Sequence, residues 1–170
     1  MERVIQFIIY FFICIYLIMK KSVWGPIVWS ALHSLSIHIK EESFNDIKDS
    51  LIEIIYKICT HLPCPSCASH AISLLKRYRV KQRVKTKQDL VRILCAIHNE
   101  VNKRLKKPVV EVEDCIRLHK DKLFKETQAL YYKTHINMQF GEKMMLYSFH
   151  RKLFLKDFKQ FILQHKDCFA

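Results

Sequence analysis

The sequence predicts an all-α fold, and three observations predict it. The 170-residue chain holds only 2 glycines and 4 prolines, whereas a sheet-rich fold needs such residues at each chain reversal. Ile47, Leu51, Ile54, Ile55, Ile58 and Leu62 recur at the helical period of 3.6 residues. No stretch alternates strand and helix patterns as a parallel sheet would.

Residues 4–19 are almost continuously apolar, broken only by Gln6 and closed by Lys20 and Lys21. At 1.5 Å per residue they span about 24 Å, short of a ~30 Å hydrocarbon core but able to cross it with snorkelling flanks. Residues 1–21 are therefore expected to be a membrane anchor. A cleaved signal peptide and a buried helix are the alternatives, and no A-x-A-like cleavage site follows. Glu2 and Arg3 cancel before the segment while Lys20 and Lys21 follow it, so the positive-inside tendency puts the main body on the cytosolic side.

Ser22 is placed to cap a first helix over residues 24–39, in which Gly25, Trp29 and His33 lie four apart on one face. A second helix is expected over 43–61. Pro63 breaks the chain directly before Cys64-Pro65-Ser66-Cys67, and a third helix continues to about residue 78. Thr86 with Asp89 three residues on forms a capping-box pattern for a fourth helix reaching residue 105, with Pro108 beyond its end. A short fifth helix falls between 111 and 123. Beyond it the chain carries fragments of helical periodicity, divided near Gly141. The organisation expected is anchor 1–21, main domain 22–122 and C-terminal helical extension 123–170.

The formal net charge is +13, which suggests anionic partners: nucleic acid, acidic lipid, a phosphate-bearing cofactor or acidic proteins. Lys76, Arg77, Arg79, Lys81, Arg83, Lys85 and Lys87 form one run, read as a solvated connector. No nucleic-acid motif accompanies it, so no nucleic-acid partner is expected.

Seven cysteines are too few for a disulfide-stapled miniprotein, and their spacing carries more information than their number. Cys64 and Cys67 form a C-x-x-C pair at a helix start, where the helix N-terminus stabilises the attacking thiolate. The pair resembles that of thioredoxin-like proteins, but their βαβ pattern is missing. A zinc site from Cys64, Cys67, Cys95 and His98 is the rival reading. On the expected fourth helix His98, Asn102 and Leu105 share a face. A flat, polar-edged ligand would satisfy it; an exposed polar stripe is the plainer alternative. Cys14, in the apolar segment, and Cys59, on a buried face, are expected to be inert.

Together these pieces resemble the ERV/ALR sulfhydryl oxidases. Residues 24–33, Trp-Gly-Pro-Ile-Val-Trp-Ser-Ala-Leu-His, resemble the family's first-helix signature. Cys64-Pro65-Ser66-Cys67 sits where its active disulfide sits, and residues 95–108, from Cys95 to Pro108, resemble its flavin-contacting helix and exit loop. The resemblance covers residues 23–121. It implies a bundle of four helices plus a short fifth, with FAD held by Gly25, Trp29, His33, Cys95, His98, Asn99, Val101, Asn102 and Lys107. It implies that Cys64 accepts electrons from a dithiol, that Cys67 lies against the flavin, and that oxygen is reduced to hydrogen peroxide. It further implies a structural disulfide between Cys95 and Cys115 and a homodimer.

The Trp that usually follows the second of those cysteines is missing here, with Lys120 and Lys122 as possible substitutes. Cys168 is a possible shuttle thiol. The expected partners are cysteine-containing proteins or a thioredoxin-like intermediary, with oxygen as acceptor. The branch resembled is that of large DNA viruses. It implies a membrane-anchored enzyme with its catalytic domain in the host cytosol or on the virion membrane, the secretory lumen being the alternative. The competing functions are a zinc-stabilised helical binding module and a basic adaptor with purely structural cysteines.

Overall fold

A computed structural model describes residues 20–138 and 145–170. Among them the regular elements are helices: α1 (Lys21–His38), α2 (Glu41–Thr60), α3 (Pro65–Arg77), a single turn Val80–Arg83, α4 (Lys87–Arg104), α5 (Val112–Lys120), α6 (Phe124–Ile136), α7 (Met145–Gln164) and a closing 3₁₀ turn, Lys166–Cys168. The sole extended pairing described is an isolated antiparallel bridge between Ile39 and Phe169.

Helix α1 is the centre of the molecule. Every residue from 31 to 36 is buried, so the helix is covered on all sides along this stretch. It touches α4 and α5 along one flank and α6 along another. Its start differs from the expectation. Lys20, not Ser22, is the N-cap, its carbonyl accepting from the N–H groups of Val23 and Trp24 at 2.9 and 3.2 Å. Ser22 therefore lies inside the first turn. The helix continues through Pro26, which forfeits one N–H.

Helix α2 carries Glu41 and Glu42 in its first turn, where the helix dipole favours negative charge. Its buried stripe includes Ile47, Leu51, Ile54, Ile55 and Ile58, as the periodicity requires, and it packs against α3 and α7. The capping box at α4 is formed in both directions: Asp89 N–H donates to Thr86 Oγ1 at 3.1 Å, and Thr86 N–H donates to Asp89 Oδ2 at 2.9 Å. The turn between α3 and α4 is anchored by buried Val80 and Val84, while the cations around them are exposed.

The C-terminal helices share the core of α1 and α2. Tyr131, Phe154, Leu155, Phe158 and Phe161 are buried. Gln128 Nε2 donates to the Ala31 carbonyl at 3.3 Å, and His61 stacks on Phe154 at 4.7 Å. The chain end is pinned beside the end of α1: Lys40 N–H donates to the Cys168 carbonyl and Ala170 N–H to that of His38, both at 2.8 Å. Phe169 stacks on Phe124 at 4.2 Å.

The expectation of a membrane-anchored localisation is corrected here. Among the described residues no helix is long and apolar enough to cross a membrane. The reason is visible in the longest helices: α2 interleaves Asp46, Lys48, Asp49, Glu53 and Lys57 with its apolar stripe, and α7 does the same with Arg151, Lys152, Lys156, Asp157 and Lys159. The stretch 4–19, on which the anchor was placed and which includes Cys14, lies outside the described residues, as does Gly141.

Candidate redox and cofactor site

Cys64 and Cys67 are joined as a disulfide. Cys64 is the N-cap of α3, Pro65 follows at the first helical position, and Cys67 N–H donates to Cys64 Sγ at 3.3 Å. Proline suits that position because the helix requires no N–H there. The pair thus sits where the dipole favours negative charge on sulfur. Pro65 and Ser66 are exposed and both cysteines are half-buried.

Behind the disulfide lies a cavity of about 500 Å³. Trp24, Gly25 and Trp29 of α1, Cys67 of α3, and His98, Val101 and Asn102 of α4 line it, with Lys107 beyond α4. Cys67 and Ser66 reach this wall; Cys64 is not part of it. The disulfide therefore has an inner and an outer sulfur.

Trp29 and His98 stack at 3.9 Å with an 8° angle between rings. His33, fully buried, bonds His98 (Nε2 to Nδ1, 2.9 Å) and lies 3.4 Å from Cys115 Sγ. Burial is the first cause that lowers the pKa of each of these imidazoles. His98 falls to about 4, with Lys107 adding to the effect; His119 falls to about 4, with Lys122 adding; and His33 is pushed well down by burial, then by His119, His98 and Lys122. All three are neutral at pH 7, able to donate from one ring nitrogen and accept at the other.

Some expected residues meet in the cavity and others stand behind it. Gly25, Trp29, Cys67, His98, Val101, Asn102 and Lys107 line it, whereas His33, Cys95 and Asn99 do not. His33 forms a second layer through His98. Asn99 spends its amide on Val110, donating from Nδ2 at 2.8 Å and accepting at Oδ1 at 2.9 Å. It clasps the loop leaving α4.

Cys95 and Cys115 are buried free thiols close to one another, and Cys95 Sγ donates to the Val110 carbonyl at 3.5 Å. The implied bond between them is thus not closed here, although the two sulfurs are neighbours. Cys59 is also buried, and desolvation pushes its thiol up to about 12, which keeps it protonated.

The zinc set is not assembled, because Cys64 and Cys67 are bonded to each other. Ligand atoms of His33, Cys115 and His119 do lie within 4.8 Å of one another. That cluster supplies three ligands, one of them the thiol beside Cys95. Cys168 sits in the pinned terminal turn, beyond the end of α1 at Ile39. Ten residues separate Ile39 from Trp29, about 15 Å of helix.

Sequence reasoning missed His119 as a wall residue, although its place four after Cys115 puts both on one face of α5. It also missed Lys21, His70 and Arg104. Lys122, a possible substitute for the missing Trp, does reach the cavity, bonding Ser30 Oγ at 3.2 Å and lying 3.3 Å from His119 Nδ1. Lys120 does not line it.

The lining tests the fit of a flavin dinucleotide. Two tryptophans and an apolar wall of Val28, Leu32, Leu75, Leu94 and Ile97 suit a flat ring system. Lys21, Arg104, Lys107 and Lys122 suit phosphates, and among the described residues no carboxylate lines the cavity. A Cβ added at Gly25 would meet nothing within 4 Å, so this backbone borders open space. The residues fit.

A helix-capping disulfide over a cation-lined aromatic cavity defines a helical dithiol–disulfide redox protein. The chain belongs to the Erv1 / Alr family, whose sequence profile matches residues 26–128. An African swine fever virus protein (isolate Pig/Kenya/KEN-50/1950) named FAD-linked sulfhydryl oxidase is 30% identical over 102 residues, which is 60% of this chain and 84% of that protein. The Saccharomyces cerevisiae FAD-linked sulfhydryl oxidase ERV2 is 29% identical over 60% of this chain and 49% of its own length. The Schizosaccharomyces pombe mitochondrial FAD-linked sulfhydryl oxidase erv1 is 27% identical over 50% of this chain and 47% of its own. The chain thus spans about half the length of these two yeast relatives. No solved structure gives a significant match.

Proposed function

We propose that this chain is an FAD-dependent sulfhydryl oxidase that makes disulfides in protein substrates, using the Cys64–Cys67 pair, with oxygen as final acceptor. The observation that carries the reading is the asymmetry of the pair: one sulfur on the cavity wall, the other outside it, at a helix N-terminus. The reading includes a bundle of α1 to α4 with short α5 around the cofactor, a domain over 22–122 with an extension over 123–170, and a homodimer.

A substrate thiolate attacks Cys64 Sγ, forming a mixed disulfide and leaving Cys67 as thiolate. The substrate's second thiolate then attacks its own sulfur in that bond and expels Cys64. Two electrons have moved from the substrate to the pair, and one substrate disulfide has formed. The N-terminus of α3 lowers the cost of both leaving thiolates. FAD, when bound, supplies the two-electron acceptor that returns the pair to its oxidised form and passes the electrons to oxygen.

The chain's part is to hold and orient. The stacked Trp29–His98 pair would border the ring, with neutral His98 offering a hydrogen bond without adding charge. Asn102 presents its side-chain amide, since its backbone carbonyl is taken by Lys107 N–H at 2.9 Å. Arg104, Lys107 and Lys122 would neutralise the phosphates. A bond between the neighbouring Cys95 and Cys115 would tie α4 to α5 and fix His119.

The test is the visible spectrum of the purified protein. A yellow protein whose flavin absorbance bleaches with dithiothreitol under argon and returns in air, with oxygen consumed, supports the reading. A folded, colourless protein that binds no added FAD overturns it.

A further inference from the structure

The N-terminal turns of α7 carry an apolar stripe that nothing in the described molecule covers. Leu146, Phe149 and Leu153 are 70%, 56% and 42% exposed. At i, i+3 and i+7 they lie on one face, opposite Arg151, Phe154, Leu155 and Phe158, which are buried. A continuous exposed apolar face beside a reactive centre is a mark of an interaction surface.

Its place in the fold identifies what covers it. Tyr147, on the same turns, donates its hydroxyl to the Leu62 carbonyl, and His61 stacks on Phe154 at 4.7 Å. Leu62 is two residues from Cys64, at most about 7 Å of chain. A protein that docks specifically covers about 800 Å², a disc about 16 Å in radius. These contacts join the N-terminal turns of α7 to the segment that leads into Cys64, so a footprint of that size centred on Cys64 extends toward them.

The charges around the stripe narrow the partner further. His150, Lys152 and Lys156 are exposed beside it. The sole acid of α7, Asp157, is engaged with Lys57 at 3.2 Å. This border complements acidic side chains and repels basic ones.

We propose that the Leu146–Phe149–Leu153 stripe is the docking surface for the reduced protein substrate, receiving a segment in which apolar and acidic side chains flank the reacting cysteine. The inference rests on the oxidase reading and adds a substrate class to it. Small dithiols need only Cys64, whereas protein dithiols also use α7. The C-terminal extension thereby gains a role in selecting substrate.

The test compares wild type with the double substitution Phe149→Gln and Leu153→Gln, both exposed and outside the redox and cofactor site. Oxygen consumption is followed with dithiothreitol and with reduced, unfolded α-lactalbumin, an acidic protein dithiol. The expected result is a kcat/KM for the protein dithiol lowered about tenfold, the scale of losing one good interface anchor, with dithiothreitol turnover unchanged. Equal rates for wild type and variant on the protein dithiol, or equal losses on both substrates, would overturn the proposal. So would light scattering that shows wild-type dimers splitting on substitution, because the stripe would then belong to a second copy. A wild type inactive on dithiothreitol itself would instead sink the oxidase reading, and this inference with it.

Discussion

The two ends of α1 are built on opposite rules. Toward its N-terminus, Trp24, Gly25 and Trp29 border a cavity, and the groups facing them are imidazoles, an amide and cations. Toward its C-terminus, Leu35 and Ile39 are fully buried, and the chain end closes over them with paired backbone bonds and the Phe124–Phe169 stack. One end keeps space and polarity for something to be added; the other is finished by the chain itself. Substitutions at the first end should therefore cost function, and substitutions near the second should cost stability.

The largest effect expected is at the disulfide. Cys67→Ser or Cys64→Ser should remove turnover with any dithiol, to below about one-thousandth of wild type, because the exchange route is lost entirely. Bound FAD, read from its absorbance, should persist in both. A variant that kept substantial oxygen consumption would put the redox chemistry elsewhere.

On the finished side, Phe158→Ala should cost about 3–5 kcal/mol of folding stability, as large aromatic truncations in cores do. Phe158 is buried against Tyr131, with ring centroids 4.9 Å apart. Chemical denaturation would read it. A loss below about 1 kcal/mol would mean that α7 does not share the core of the bundle.

Gly25→Val separates the two ends most cleanly. A Cβ at position 25 meets nothing within 4 Å, so the fold should tolerate it while the cavity narrows. FAD affinity should fall about tenfold or more, the cost of a steric misfit of roughly 1.4 kcal/mol. The FAD-free protein should melt within a few degrees of wild type. Valine binding FAD as tightly as glycine would place the ligand away from this wall.

Much of this was legible in the sequence, for reasons that differ by residue. The stripe of α2 and the Thr86–Asp89 box follow from local spacing, and local spacing is written in the chain. The C-x-x-C pair was legible as chemistry because its reactivity depends on a helix start that Pro65 announces. What faces the cavity was less so. Asn99 and Asn102 look alike in sequence, yet Asn99 turns to Val110 while Asn102 reaches the cavity, a choice made by the long-range approach of the α4–α5 loop. Residues 145–164 gave only fragments of periodicity, because α7 buries Arg151, which donates to the Met138 carbonyl at 2.7 Å, and exposes Leu146 and Phe149. That inversion reads as noise until the neighbours of the helix are known.

Acidification should weaken the cavity end, and with it the core around His135, whose pKa burial also lowers to about 4. His98 and His119 have pKa values lowered to about 4, burial being the first cause in each, against an ordinary value near 6.5 in the unfolded chain. Between those values the unfolded state binds more protons than the folded one. Stability therefore rises with pH through this window and is fully present above about 6.5. As pH falls from about 6.5 toward 4 the FAD-free protein should lose stability steadily. His98→Gln should flatten that slope while leaving stability above pH 7 little changed. An identical slope in the variant would mean that His98 does not carry its share of the proton uptake.

The smallest effect expected concerns a single backbone angle at the cavity's lip. Lys106 has φ of 55°, a left-handed conformation that costs a non-glycine residue roughly 1–2 kcal/mol. It persists because the next residue must turn back, its N–H donating to the Asn102 carbonyl at 2.9 Å, which sets the start of the Lys107 side chain beside the cavity. Lys106→Gly removes the strain but adds freedom to the unfolded chain, so the net gain should be about 0.5 kcal/mol. Thermal melts would register it as a small rise. FAD affinity should stay within about twofold, since Lys107 keeps its backbone bond. A fall in stability instead would mean that the Lys106 side chain contributes more than its backbone strain costs, and the contrast between a strained open end and a relaxed closed end of α1 would lose its clearest local mark.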